Sequence, residues 1–317
     1  MPGRKITMLP DDVVATFTLA AGATPPVLSL VAEVSPDGEV LRHETRVQRV
    51  PVAANLRLDA IGEDFANDLP SPSDPPWTAE LRVLWRLAQR LSAARGKNDI
   101  QRVDYSFHVD WTAPGWGGES GRVAIVPRPR GSPLDKLVAE LMIFVNSTWG
   151  RRLADAQVAG LYRTQSAGKV KMSTRPAEHQ GLGVAHYLWA SSPLRRYSDL
   201  VNQRQLVAVV DGAKPPYADN DAALFAALAD FEATYAQYAE FQDRMEHYWC
   251  LRWLLQEGVS ETVATVIRDN LVRFDRLPLV LRLADLPALA PDSGVRVGIG
   301  RVDLLAATLE CRYVGPA

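Results

Sequence analysis

The sequence predicts an α+β fold that ends in a small β-barrel, and three observations carry that expectation. Strand-like, β-branched segments open the chain, long helical patterns fill its middle, and short apolar runs return after Gly258. With 317 residues, 47% of them apolar, the chain can bury one large core or two modest ones. We place a domain boundary near Gly258, giving residues 1–257 and 258–317.

Residues 13–19 and 27–34 read as strands, because β-branched and apolar side chains fit a pleated surface. Ser35-Pro36-Asp37-Gly38 supplies the turn before a partner strand over 40–50. Residues 69–76 are a loop, since their prolines deny the backbone both donors and helical geometry. Asp74-Pro75 suits the start of a helix with Leu81, Leu84, Trp85, Ala88 and Leu91 on one face, and Gly96 stops it. Short strands follow at 103–109 and 123–126. A second helix covers 133–156 and is nearly apolar, hence buried, over 137–145. Residues 165–183 hold four glycines or prolines with little periodicity and read as an ordered loop. Helices are then expected over 193–210 and 221–256, the latter ended by Gly258. The tail places strands at 263–267, 279–283, 295–299 and 304–313, the spacing of a small barrel.

Composition excludes several classes. No apolar run reaches the roughly 18 residues needed to span a bilayer, and Met1-Pro2-Gly3-Arg4-Lys5 lacks the apolar stretch of a secretory signal. Cys250 and Cys311 stand alone without CxxC spacing, which argues against a disulfide framework or a zinc site and for a reducing cytoplasm. The net charge of −2 hides an uneven distribution. Residues 128–204 carry 12 Lys or Arg against 5 Asp or Glu, whereas the remainder carries 23 against 32. A basic patch inside an acidic shell attracts a polyanion, although surface charges also cluster without function. Arg128, Arg163, Lys169, Lys171 and Arg175 hold much of the excess and are expected to line one groove.

The most informative segment is Ser192-Pro193-Leu194-Arg195-Arg196-Tyr197-Ser198-Asp199-Leu200. Ser192 can cap a helix whose first turn holds Pro193, so free N–H groups would sit beside two arginines as an anion site. Arg195 and Asp199, four apart, would share one face, and the carboxylate would orient the guanidinium. A pre-oriented guanidinium stabilises charge that builds up on a phosphate. The same residues also suit an ordinary surface helix with one ion pair.

This segment closely resembles the signature of the ribonuclease II (RNB) family, and four further stretches follow that family's order. Met8-Leu9-Pro10 resembles its Met-Leu-Pro, and Leu137-Val138-Ala139-Glu140-Leu141-Met142-Ile143 with Asn146 resembles its buried helix. Leu161-Tyr162-Arg163 and His179-Gln180-Gly181-Leu182-Gly183 match two blocks before the signature. The resemblance spans roughly residues 8–257. It implies a partial RNB catalytic domain of mixed sheets and helices over 1–257, followed by a short OB-like β-barrel over 258–317. The activity it implies is 3′→5′ exoribonucleolytic hydrolysis of single-stranded RNA to nucleoside 5′-monophosphates.

The resemblance also implies roles for matched residues. Arg195 aligns with the arginine credited with stabilising the phosphate, and Asp243 falls where the family has a glutamate thought to aid product release. His179, Arg196 and Tyr197 would sit near the RNA path. Arg163 and the loop cations Lys169, Lys171 and Arg175 would contact phosphates. Taken alone, His179 suits a structural histidine, and Glu140 a buried hydrogen-bonding group. Gln203 replaces a histidine common in the family, and Ala139 replaces the first of two glutamates. Family hydrolysis uses Mg2+ held by an Asp-x-Asp-Asp-like run upstream of Met-Leu-Pro, and these 317 residues contain no such run. Either the reading frame is truncated or another, upstream polypeptide carries those aspartates. The chain would otherwise be a non-catalytic RNA-binding remnant of the family. Its tail offers only Phe274 and Tyr313 for stacking on bases.

Overall fold

The structure, a computed structural model, describes residues 7–57, 61–62, 64–66, 71–72, 74–96, 103–115, 117 and 120–317. The chain start at 1–6 and part of the expected loop at 69–76 lie outside the described residues. Two compact units form, one from residues between 7 and 96 and between 131 and 234, the other from 103–130 and 235–317. They part inside the long helix over residues 222–256.

The first unit opens with helix α1 (Asp11–Phe17), which corrects the expected strand over residues 13–19. Asp11 and Asp12 favour the positive end of a helix, and the Thr16 and Thr18 hydroxyls donate to the carbonyls of Asp12 and Val14. Those local bonds outweigh a β-branched preference that is weak to begin with. Strands β1 (Pro26–Val34) and β2 (Val40–Arg49) form the expected antiparallel hairpin. Its turn is pressed onto helix α2 (Thr78–Arg95), where Arg86 and Arg90 donate to the carbonyls of Pro36 and Asp37. Gly38 is obligatory there: its φ is +82°, and a Cβ would stand 2.7 Å from the backbone of Arg86. Leu81 and Ala88 of α2 bury Phe65 together with Leu134 and Leu137 of helix α3 (Pro133–Asp155).

In the other unit β3 (Val103–Pro114) pairs with β4 (Ser120–Pro129), both longer than the short strands expected. Helix α3 (Pro133–Asp155) returns to the first unit, capped by Ser132, whose hydroxyl accepts from the Asp135 amide at 3.2 Å. The loop over 165–183 carries a small ladder, β5 (Tyr162–Thr164) against β6 (Lys171–Ser173), too short to leave a periodic trace in sequence. Helix α4 (Tyr197–Val210) begins four residues later than expected. Helix α5 (Ala222–Gln256) runs out of the first unit into the second and is closed by Gly258 at φ 61°.

Five strands complete the second unit: β7 (Glu261–Arg268), β8 (Leu271–Phe274), β9 (Val280–Arg282), β10 (Gly294–Asp303) and β11 (Thr308–Pro316). They form one antiparallel sheet in the order β11-β10-β7-β8-β9, an OB-like half-barrel. The sequence reading had overlooked β8. Cys250, Leu251 and Leu254 of α5 pack onto the sheet's core of Val266, Val272, Phe274, Val295 and Val297. Phe274 is 1% exposed, so it serves the barrel's own interior and offers no face to a base. Tyr313 and Phe107 also pack against that core.

Phe274→Ala should therefore lower stability by about 3–5 kcal/mol through the cavity it leaves. Val280→Ala, at a side chain 45% exposed, should change it by less than about 1 kcal/mol. Urea unfolding of both variants, followed by far-UV circular dichroism, checks the contrast.

Candidate functional site

The site grows out of a backbone frame held by buried amides. Asn202 on α4 accepts from the Leu161 N–H at 2.7 Å and donates to the carbonyls of Leu161 and Trp189. Asn146 on α3 accepts from the Ala190 N–H at 3.1 Å and donates to Ser191 Oγ. Gln203 donates to the Ala190 carbonyl, and Gln205 spans Ala159 and Tyr217. Buried carbonyls and amides of this irregular segment thus gain side-chain partners. Arg163 in β5 donates its backbone N–H to the Tyr187 carbonyl, which sets β5 beside residues 187–190.

On that frame stands Trp189 with two cations over its ring. The Arg163 guanidinium carbon lies 3.6 Å from the ring centroid, and that of Arg196 lies 4.2 Å from it. Each such contact is worth about 0.5–2 kcal/mol, and more where water is excluded. Phe231 of α5 meets the same indole edge-on at 6.5 Å. Behind Arg196 lies Asp199, fully buried. Its carboxylate accepts from Arg196 Nη2 at 2.7 Å, from the Ser192 N–H at 2.7 Å and from Ser198 Oγ at 3.2 Å. Arg196 Nε is buried without a hydrogen-bond partner among the described residues.

This arrangement corrects two expectations. Ser192 is not a helix cap; the Asp199 carboxylate captures its N–H, and residues 192–195 form a turn. Arg196, extended at φ −132°, ψ 120°, precedes the first turn of α4, so its side chain and not that of Arg195 meets Asp199. Arg195 is exposed and donates only to Ser192 Oγ, at 3.3 Å, among the described residues. The signal for the correct partner was the i,i+3 spacing of Arg196 and Asp199, as available in the sequence as the i,i+4 pair.

The preceding loop supplies the remaining groups. His179 is 6% exposed, accepts at Nδ1 from the Leu182 N–H at 3.3 Å, and meets Tyr187 edge-on at 5.5 Å. Burial first, and the Arg163 charge second, hold its imidazole pKa below the ordinary value. Gln165 closes the loop, donating to the Gly168 carbonyl and accepting from the Gly181 N–H, and a Cβ at 181 would stand 2.3 Å from its Oε1. Lys169, Lys171 and Arg175 are exposed along the loop, with Lys171 opposite Thr164 in the β5–β6 ladder. Tyr197 is 40% exposed, and burial with a hydrogen bond to Tyr217 raises its phenol pKa. Glu140, buried in α3, is held in a bidentate pair by Arg95, which also donates to the Leu182 carbonyl at 2.7 Å. That occupation gives Glu140 a structural duty.

The structure thus brings together Arg163, His179, Trp189, Arg196 and Asp199, and leaves Arg195 turned outward beside them. Sequence reasoning missed Trp189, whose aromatic side chain between two blocks of known type was the available signal. Asp243 is exposed on α5 in the other unit, and Arg128 also belongs to that unit, on β4. Among the described residues no three His, Cys, Asp or Glu side chains form a group able to hold a metal ion. The donors of the described residues do not fit Mg2+. No helix among the described residues is long and apolar enough to cross a membrane.

A model of the RNB domain matches residues 1–174 and 166–212. An Exoribonuclease 2 of Escherichia coli is 25% identical over 275 residues, covering 67% of this chain and 41% of that protein. The chain therefore spans about two fifths of the length of that curated relative. Among solved structures, Mycoplasma genitalium RNase R in complex with ribose-methylated single-stranded RNA superposes with a TM-score of 0.77 at 13% identity. That likeness covers 99% of this chain and 62% of the other. Yeast Ssd1, a pseudonuclease, superposes with a TM-score of 0.57 at 15% identity, covering 89% of this chain and 42% of the other.

Removing the buried carboxylate strands a largely buried guanidinium, so Asp199→Ala should cost about 3–5 kcal/mol of stability. Arg195→Ala, at an exposed side chain, should cost less than about 0.5 kcal/mol. Chemical unfolding midpoints of the two variants check the difference.

A second outcome concerns pH. The unfolded chain protonates His179 near pH about 6.5, whereas the folded chain does so only at lower pH. Below that point the unfolded state binds more protons, so stability is full above about pH 6.5 and falls as pH drops through the folded pKa. The thermal midpoint of the wild type should fall more steeply with acidification than that of His179→Gln. Parallel slopes from about pH 7.5 to about pH 5 would remove His179 as the cause.

Proposed function

We propose, because the chain belongs to the RNB domain family, that it is the C-terminal portion of a 3′→5′ exoribonuclease acting on single-stranded RNA. Residues 1–257 are the partial catalytic domain and 258–317 its OB-like barrel. The product is nucleoside 5′-monophosphate, and the setting is the cytoplasm. The observation that carries this reading is the Arg163–Trp189–Arg196 stack fixed by Asp199, beside an outward Arg195.

In this reading each group has a distinct duty. Two guanidiniums lie over the Trp189 ring, so the indole positions cations. Arg163 and Arg196 are held on that indole at the RNA path, where Lys169, Lys171, Arg175, Tyr197 and His179 also lie. Arg195 keeps donors free of protein partners and steadies the phosphate at the scissile bond. Asp243 takes the place of the family's product-release glutamate. Mg2+, which the family implies, has no ligand set among the described residues. The aspartates that hold it would come from an upstream polypeptide or an upstream part of the same protein. A second reading, a non-catalytic RNA-binding member, is favoured by the missing carboxylate cluster among the described residues. The pseudonuclease likeness accords with it at the level of fold.

The test uses 5′-labelled single-stranded RNA with Mg2+. Residues 1–317 alone should retain RNA weakly and shorten it negligibly. Joined to an upstream segment carrying the aspartates, the chain should trim 3′ ends, and Arg195→Ala should abolish most of that trimming. A Mg2+-dependent ladder from the isolated chain that vanishes in Arg195→Ala would reveal a metal site within these residues. No trimming by the joined protein would favour the non-catalytic reading.

A further inference from the structure

A cavity of about 740 Å3 opens between β2, α3 and the segment 183–186, and none of the side chains around Trp189 lines it. That volume lies within the range of about 300–1,000 Å3 that small-ligand sites occupy. Four groups able to donate to an anion come to it from three stretches of chain: His43 from β2, Arg151 and Arg152 from α3, and His186 from the segment before Tyr187. Ser147 and Thr148 add hydroxyls to the same wall.

Two of these groups carry buried nitrogens with unmet hydrogen-bonding capacity. Arg152 Nε and His186 Nδ1 are buried without a hydrogen-bond partner among the described residues. Their neighbours are spoken for: Thr45 Oγ1 accepts from Trp149 Nε1 at 3.2 Å, and the His43 ring is steadied edge-on by Phe144 at 6.0 Å. Of the two carboxylates on the lining, Glu44 is paired with Arg46, which leaves Asp155 as the opposing charge. The C-terminal end of α3 by itself favours a cation and so accounts for an arginine there. It does not account for two histidines arriving from other elements, nor for nitrogens that are buried yet unmatched.

We propose that this cavity is an anion site taking the phosphate or diphosphate group of a ligand, with Arg151 and Arg152 as the principal donors and His43 and His186 opposite them. Guanidinium forks match phosphate oxygens in pairs, and imidazole N–H groups complete the shell. The remaining volume, walled by Phe144, Val184 and Val209, accommodates an apolar or aromatic body attached to the phosphate. The same phosphate chemistry is offered by a free nucleotide and by a strand of RNA. The site stands on its own residues and does not depend on whether the chain degrades RNA.

Calorimetric titration with inorganic pyrophosphate, and separately with a short oligoadenylate, tests it on the wild type, Arg151→Glu and Ala185→Trp. Both variants alter side chains exposed at the mouth, so circular dichroism and the thermal midpoint should stay unchanged. Pyrophosphate should bind the wild type in a one-to-one ratio and at least tenfold more weakly to each variant. Unchanged oligoadenylate binding in the variants assigns the site to a free phosphorylated ligand. A parallel tenfold loss, with pyrophosphate competing, assigns it to the strand's phosphates. Pyrophosphate that does not bind the wild type, or binds both variants equally well, overturns the proposal.

Discussion

A carboxylate with no exposure to water must find its counter-charge and fill its lone pairs within the protein, or it will not stay ionised. Asp199 meets that demand with one guanidinium, one backbone N–H and one hydroxyl. The backbone bond folds residues 192–195 into a turn and delays α4 to Tyr197. The guanidinium bond lays Arg196 across Trp189, and Arg163 lies over the same indole. Arg195, next in sequence, is thereby excluded from the carboxylate and left outward. One buried charge therefore assigns unlike duties to two adjacent arginines.

The amides extend this control to the neighbouring backbone. Asn202 and Asn146 reach the stretch 189–191 from two helices, and Asn202 also holds Leu161, next to Tyr162 at the start of β5. Side-chain amides thus help hold irregular backbone in the interior, where unpaired polar groups are the usual obstacle to burying a loop. Such a segment keeps its geometry only while every member of the network is present.

Much of this architecture was legible in the sequence, for identifiable reasons. The long helices and the β1–β2 hairpin follow from periodicity and from turn residues around Gly38. The tail read as a barrel because its short apolar runs recur at even spacing. Residues 13–19 read as a strand because side-chain type outweighed the local bonding of Thr16 and Thr18, which composition does not display. The Arg195–Asp199 pairing rested on ideal helical spacing, and it failed where the helix begins later than the pattern suggests. Trp189 escaped notice because an indole gripped by two cations depends on contacts across β5 and α4. The five blocks in family order, by contrast, need no geometry, and they were sufficient to identify the family.

The loop between β5 and Gly183 is fastened at both ends and bare in its middle. Three ladder pairs and the Gln165 amide hold its arms, while Lys169 and Lys171 stand exposed next to Gly168. A protease that cuts after basic residues therefore finds its target at the tip. Scission at Lys169 leaves β6 paired with β5 and His179 buried against Tyr187. The cut chain would stay associated as two fragments, with the turn that Asp199 organises still assembled.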